Sequence, residues 1–200
     1  MRDFVIIGHR AVTSPDFSLN DLPGSGGRMD VLCRCINSAL FLSHDMRRDV
    51  RVHLLLLGDP DPGIIVRFEG SSLKYLNPDE RSSGSLIKKS LQKNISDIQV
   101  QSTPGVWIRK GNLEMLMEEF RDTGRNIFYL KEDEIDIRAS AHLMDDGIFI
   151  FGDDMGVNED EEKLISGYEP YVISLGPLSL HTDHCITLIN NELDRLVVDK

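Results

Sequence analysis

Residues 181–185, His-Thr-Asp-His-Cys, set two imidazoles and a thiol at the start of a segment that reads as a helix from Cys185 to Leu196, with Thr182 or Asp183 as its cap. A helix N-terminus beside histidines lowers a thiol pKa, so Cys185 has the setting of a nucleophile, and equally that of a pocket-wall residue. His181, His184 and Cys185 lack further ligands at zinc-like spacing, and no metal is expected. Asp59 and Asp61, in Gly-Asp-Pro-Asp-Pro-Gly at 58–63, close the apolar run Val50–Leu57. Carboxylates at the end of a buried strand can manage a proton. Asp-Pro and Pro-Gly also make an ordinary solvated turn. Arg10, Arg28, Arg34, Arg47, Arg48, Arg81, Lys88 and Lys89 all fall in the first half of the chain and could contact phosphates. Arg47 and Arg48 could instead complement the dipole of the helix before them.

The elements that must position these groups alternate along the chain. Arg2–Gly8 reads as a strand and Met29–Asp45 as a helix, with Met29, Leu32, Cys33, Ile36 and Leu40 on one apolar stripe. Val50–Leu57 is nearly continuously apolar, as in a strand covered on both faces, and Ile64–Phe68 reads as a returning strand. A helix opens at Pro78-Asp-Glu-Arg81, and polar Gln101–Gly105 separates two halves of differing composition. Asn112–Asp122 is an amphipathic helix stopped by Gly124. From Ile127 onward the order is strand, acidic connection, strand Ile148–Phe151, acidic helix Glu159–Ile165, strand Tyr171–Leu175, Gly176-Pro177 turn, helix. This alternation predicts an α/β fold built on a parallel sheet with crossover helices. In such sheets ligands gather at the strand C-terminal ends, here Leu130, Gly152 and Leu175–Leu180.

Composition bounds the classes. With 40% hydrophobic and 28% charged residues, the chain reads as globular. No apolar run approaches membrane-helix length and the N-terminus enters a strand without a signal-peptide pattern, so a cytoplasmic location is expected. Three cysteines at 33, 35 and 185 do not suggest a disulfide scaffold. The net charge of −11 is uneven: residues 1–100 hold 13 Lys+Arg against 12 Asp+Glu, giving +1, whereas residues 101–200 hold 9 against 21, giving −12. Any polyanionic partner must therefore lean on the first half.

The chain resembles the archaeal TrmY family, tRNA pseudouridine N1-methyltransferases of the SPOUT superfamily. The resemblance spans nearly all of it and rests on Asp21-Leu-Pro-Gly-Ser-Gly-Gly-Arg28, Leu32-Cys-Arg-Cys35, Leu42-Ser-His-Asp-Met-Arg-Arg-Asp49, Pro78-Asp-Glu-Arg81, Gln101-Ser-Thr-Pro-Gly105 and Leu180-His-Thr-Asp-His-Cys-Ile186. It implies one SPOUT domain over residues 1–200, with helices on both sheet faces and a C-terminal trefoil knot over about 125–200. It also implies S-adenosylmethionine bound in the knot by Leu130, Gly152 and the loop Leu175, Gly176, Pro177, Leu178, Ser179 and Leu180, with Cys185 at its edge. The implied substrate is the T-arm of tRNA, methylated at N1 of pseudouridine 54 by a homodimer. N-methylation needs no covalent enzyme adduct, which favours a pocket-lining Cys185, and Asp59, with Asp61 in reserve, becomes the expected proton acceptor. The competing readings are a methyltransferase for pseudouridine in ribosomal RNA, a non-catalytic RNA-binding or assembly factor, and a Cys-His hydrolase. The hydrolase lacks a nucleophile-elbow sequence or third orienting group.

Overall fold

The computed structural model describes residues 1–198. Eight strands form one sheet: β1 (Arg2–Gly8), β2 (Val50–Leu56), β3 (Ile64–Glu69), β4 (Val100–Thr103), β5 (Val106–Lys110), β6 (Ile127–Asp136), β7 (Ile148–Gly152) and β8 (Tyr171–Ser174). Their spatial order is β4-β5-β3-β2-β1-β7-β6-β8. The helices are α1 (Met29–Leu40), α2 (Glu80–Leu91), α3 (Leu113–Asp122), a short α4 (Ile137–Ser140), α5 (Glu159–Ser166) and α6 (Thr182–Val198).

The sheet is mixed, which corrects the expectation of a parallel one. β2, β1, β7, β6 and β8 run parallel, while β3, β5 and β4 pair antiparallel. The connection between β2 and β3 holds only residues 57–63, and a parallel crossover needs a dozen or more residues. The chain must therefore turn straight back. Gln101–Gly105, expected to separate two halves, instead supplies β4 and the Pro104-Gly105 turn into β5, with Gly105 at φ 78°. The helix expected to reach Asp45 ends at Leu40, and β6 runs six residues beyond Leu130 with a register break before Ile135.

Alternation along β1 explains the two cores. Phe4 and Ile6 face one apolar layer with α1, α2 and α6, including Leu32, Ile36, Ile87, Ile186 and Ile189. Val5 and Ile7 face the other, with Leu116, Met117 and Phe120 of α3 and Ile165 of α5. Both faces of the central strands are covered, which is why the middles of β1 and β2 read as apolar runs. Arg2 and Asp3 are the charged residues of β1, and the Asp3 side chain is not exposed at all; His53 Nε2 lies 2.7 Å from its Oδ1 and Arg125 Nη1 donates to its Oδ2 at 2.5 Å. Burial opposes its ionisation, but those two partners hold the carboxyl at about 2.

Removing one member of such a buried ionic set leaves uncompensated charge inside the protein. Asp3→Ala is expected to lower unfolding stability by about 3–5 kcal/mol in a urea titration, with the buried His53 losing its carboxylate and Arg125 left with Asp146 and the Met1 and Gly147 carbonyls.

Candidate functional site

Register carries the site. Gly8 of β1 pairs with Leu56 of β2, and Ile7 pairs with Gly152 of β7, so parallel strands end along one edge of the sheet. A cleft of about 500 Å³ opens there between the ends of β6, β7 and β8. Its volume lies within the range of small-molecule sites. Leu130, Gly152, Leu175, Gly176, Leu178, Ser179, Leu180 and Cys185 all line it; Pro177 does not. Thus the structure brings together eight of the nine residues expected to hold a cofactor.

Local chemistry explains the shape. A Cβ on Gly152 would lie 2.0 Å from the Gly156 carbonyl oxygen, so the turn after β7 closes only on glycine. Thr182, at the start of α6, donates its hydroxyl to the Gly152 carbonyl at 2.7 Å and ties that helix to the strand end. Gly176 sits at φ 136°, and its N–H reaches the Ser174 hydroxyl at 3.2 Å. Beyond it, the backbone N–H groups of Leu178, Ser179 and Leu180 have no backbone partner among the described residues. Such open donors on an apolar loop suit a heteroaromatic ring.

The polar wall escaped the sequence reading. Asp153 and Asp154 line the cleft as part of the turn after β7. The Asp153 side chain is buried, accepts from the His9 backbone N–H at 2.8 Å and lies 3.0 Å from His9 Nδ1; His9 Nε2 in turn lies 3.0 Å from Glu161 of α5. The hydrogen bond to Asp153, with that to Glu161, raises the His9 pKa to about 9 against the opposing effect of burial. Asp154 takes Arg10 Nη2 at 2.5 Å and Arg28 Nη1 at 2.9 Å on one oxygen, Oδ2. The signal in the sequence was Gly-Asp-Asp directly after an apolar strand.

The other expected residues lie outside the cleft. Asp59 and Asp61 are exposed at the end of β2, and Asp61 pairs with Lys110 at 2.8 Å. β1 stands between β2 and β7, and neither aspartate lines the cleft. Arg34 pairs with Asp30 at 2.9 Å and reaches Glu80 at 3.4 Å. Arg47 is only 12% exposed and bonded to Asp194 of α6, a structural role. Arg48 donates to the Gly70 carbonyl at 3.1 Å, and Arg81 to Asn20. Lys88 donates to the Phe17 carbonyl at 2.6 Å, and Lys89 is exposed. Burial pushes the Cys185 thiol up to about 11, so it is protonated at neutral pH, which disfavours a resting thiolate nucleophile. Among the described residues, no group of three His, Cys, Asp or Glu side chains is placed to hold a metal. Among them, too, no helix is long and apolar enough to cross a membrane.

A mixed α/β sheet with its cleft at the parallel strand ends has a full-length structural counterpart. The crystal structure of Archaeoglobus fulgidus Nep1 bound to S-adenosylhomocysteine superposes with a TM-score of 0.67 over 98% of both chains, at 14% identity, a likeness of fold. Residues 1–198 match the family described as "Putative SAM-dependent RNA methyltransferase", and the chain belongs to that family. It is 65% identical over 195 residues to the tRNA (pseudouridine(54)-N(1))-methyltransferase of Methanococcoides burtonii, covering 98% of this chain and 96% of that one. Identity to the protein of the same name is 62% in Methanosarcina acetivorans (all of this chain, 94% of that one). It is 42% in Methanocaldococcus jannaschii (98% and 97%).

The raised His9 pKa sets a pH dependence. The paired imidazolium contributes its full stability below the unfolded value of 6.5, and that contribution is lost as pH rises through about 9. The melting-temperature gap between wild type and His9→Asn is therefore expected to be largest near pH ~6 and to shrink by pH ~10.

Proposed function

We propose that this protein transfers a methyl group from S-adenosylmethionine to N1 of pseudouridine 54 in the T-loop of tRNA. The observation that carries the reading is the near full-length identity to relatives of that name, and the cleft supplies the physical means. S-adenosylmethionine, when bound, supplies an electrophilic methyl group on a cationic sulfur. The residues present fit it. Leu130, Leu175, Leu178 and Leu180 offer an apolar slot, the free N–H groups of 178–180 offer donors, and the carboxylates of Glu132, Asp153 and Asp154 on the same cleft suit a cation. Cys185 serves as wall. Holding the acceptor nitrogen in line with the methyl carbon removes much of the entropic barrier, and the imide-like N1 also needs a group to take its proton.

The same reading places a trefoil knot in residues 125–200. In its support, α6 leaves the edge strand β8, returns beneath the sheet to pack on α1 and also touches the short turn Ala141–Leu143 of the β6–β7 connection. A homodimer follows from the reading too, supported by exposed apolar side chains around the cleft: Ile135, Met155, Leu178 and Leu180. The half-exposed Arg10 and the exposed Arg81 and Lys89 would meet the T-arm, with Arg28, Arg34 and Lys88; Arg48, which leads into β2 at the opposite end of the parallel strands, would not share that rim. Asp59 and Asp61 would stand at the RNA-facing rim of the single domain. The tRNA would be met in the cytoplasm.

Purified protein given labelled S-adenosylmethionine is expected to label a T-arm RNA carrying pseudouridine at position 54 and to leave its uridine counterpart unlabelled. Label on both would exclude pseudouridine N1 as the acceptor. Label only on ribosomal RNA fragments would move the substrate, and cofactor-independent RNA binding without transfer would make the protein an assembly factor. If the arginines meet three phosphates, raising salt from ~50 to ~200 mM weakens T-arm binding roughly ten- to fiftyfold.

A further inference from the structure

Three carboxylates line the cleft, and their surroundings differ. Both Asp153 oxygens are engaged, Oδ1 by His9 Nδ1 and the Met155 N–H and Oδ2 by the His9 N–H, and its side chain is 2% exposed. Glu132 is exposed on β6, and a hydrogen bond from Ser179 holds its carboxyl below the usual range, so it belongs to the loop 175–180 side of the cleft. Asp154 alone joins the cleft to the basic surface. Arg10, 53% exposed, and Arg28, 33% exposed, both fasten on its Oδ2, and Asp30 braces Arg28 from behind at 3.1 Å. Oδ1 of Asp154 has no hydrogen-bond partner among the described residues, and the side chain is 21% exposed.

Resting on the function proposed above, we propose that Asp154 is the acceptor of the N1 proton, oriented by Arg10 and Arg28. The acceptor nucleotide must enter where the RNA-facing cations meet the cofactor cleft, and Asp154 is the carboxylate at that boundary. Two guanidiniums on one oxygen fix the plane of the carboxylate and leave the other oxygen for the substrate N–H. As the N1–methyl bond forms, the N1–H proton passes to Oδ1. The methyl–sulfur bond breaks with its electron pair on sulfur, giving neutral S-adenosylhomocysteine and a protonated Asp154 that returns its proton to solvent. Asp59 and Asp61 follow β2, with β1 between them and the β7 turn that carries Asp154, and neither lines the cleft.

The test is single-turnover methylation of the pseudouridine T-arm at saturating cofactor and RNA. Asp154→Asn keeps the shape and the arginine contacts, and is expected to slow transfer by roughly 10²–10⁴-fold, the usual worth of a positioned base. Its S-adenosylhomocysteine affinity should stay within about threefold, a change of under ~1 kcal/mol. Because N1 ionises in solution at high pH, the deficit should shrink steadily as pH rises, a response that a merely structural role would not give. Asp154→Ala supplies an independent arm: added formate should restore rate in a saturable way. Transfer within about threefold of wild type, a deficit that vanishes when cofactor is raised, or a deficit indifferent to both pH and formate would overturn the proposal. Wild-type transfer to pseudouridine, run alongside, carries the function itself, and the variant-to-wild-type ratio carries Asp154.

Discussion

The cleft depends on one close approach. At Gly152 the backbone of β7 meets the Gly156 carbonyl so tightly that no Cβ fits, and the same Gly152 carbonyl receives the Thr182 hydroxyl. That point fixes three things together: the end of β7, the turn bearing Asp153 and Asp154, and the start of α6 with Cys185 on its first turn. Any side chain at 152 would push the turn away from the strand and separate the acidic wall from the apolar loop 175–180. Glycine here is a steric requirement, set by the contact a Cβ would make with the Gly156 backbone.

Around that point, charge is arranged in series. Glu80, Arg34, Asp30, Arg28, Asp154 and Arg10 alternate in sign from the start of α2 to the mouth of the cleft, each within 3.4 Å of the next. Exposed ion pairs of this kind add little stability singly. Their effect is geometric: each carboxylate holds a guanidinium in place while leaving part of it open to solvent. In the proposed function, the cations set on this rim are those an RNA would meet on an otherwise acidic protein. The second half, at −12, supplies the three carboxylates that line the cleft, Glu132, Asp153 and Asp154.

Much of this was legible in the residues. The apolar runs at 50–57 and 148–151, the Gly-Pro turn at 176–177 and the helix opening at Thr182 identified the strand ends that form the cleft, because burial on both sheet faces leaves an unmistakable pattern. Register was not legible. Whether β2 stood beside β1 or β7 decides the standing of Asp59, and no local sequence feature encodes strand order. For the same reason Asp59 drew attention and Asp154 did not: a proline-fixed loop stands out in one dimension, whereas Arg10 and Arg28 reach Asp154 across more than 120 residues. The antiparallel edge followed from loop length, which the alternation in the second half had masked. Cys185 showed a thiol at a helix start with histidines nearby, yet burial, invisible in sequence, raises its pKa.

The central claim is that a cofactor slot is built at the ends of β6, β7 and β8 from backbone donors and apolar walls. A crystal structure of the protein grown with S-adenosylhomocysteine tests it most directly. The adenine is expected between Leu130 and the 175–180 loop, hydrogen-bonded to backbone groups there, with the sulfur facing Asp154 across Gly152. Density at the β2 end beside Asp59, or a cleft left empty at saturating ligand, would contradict the account.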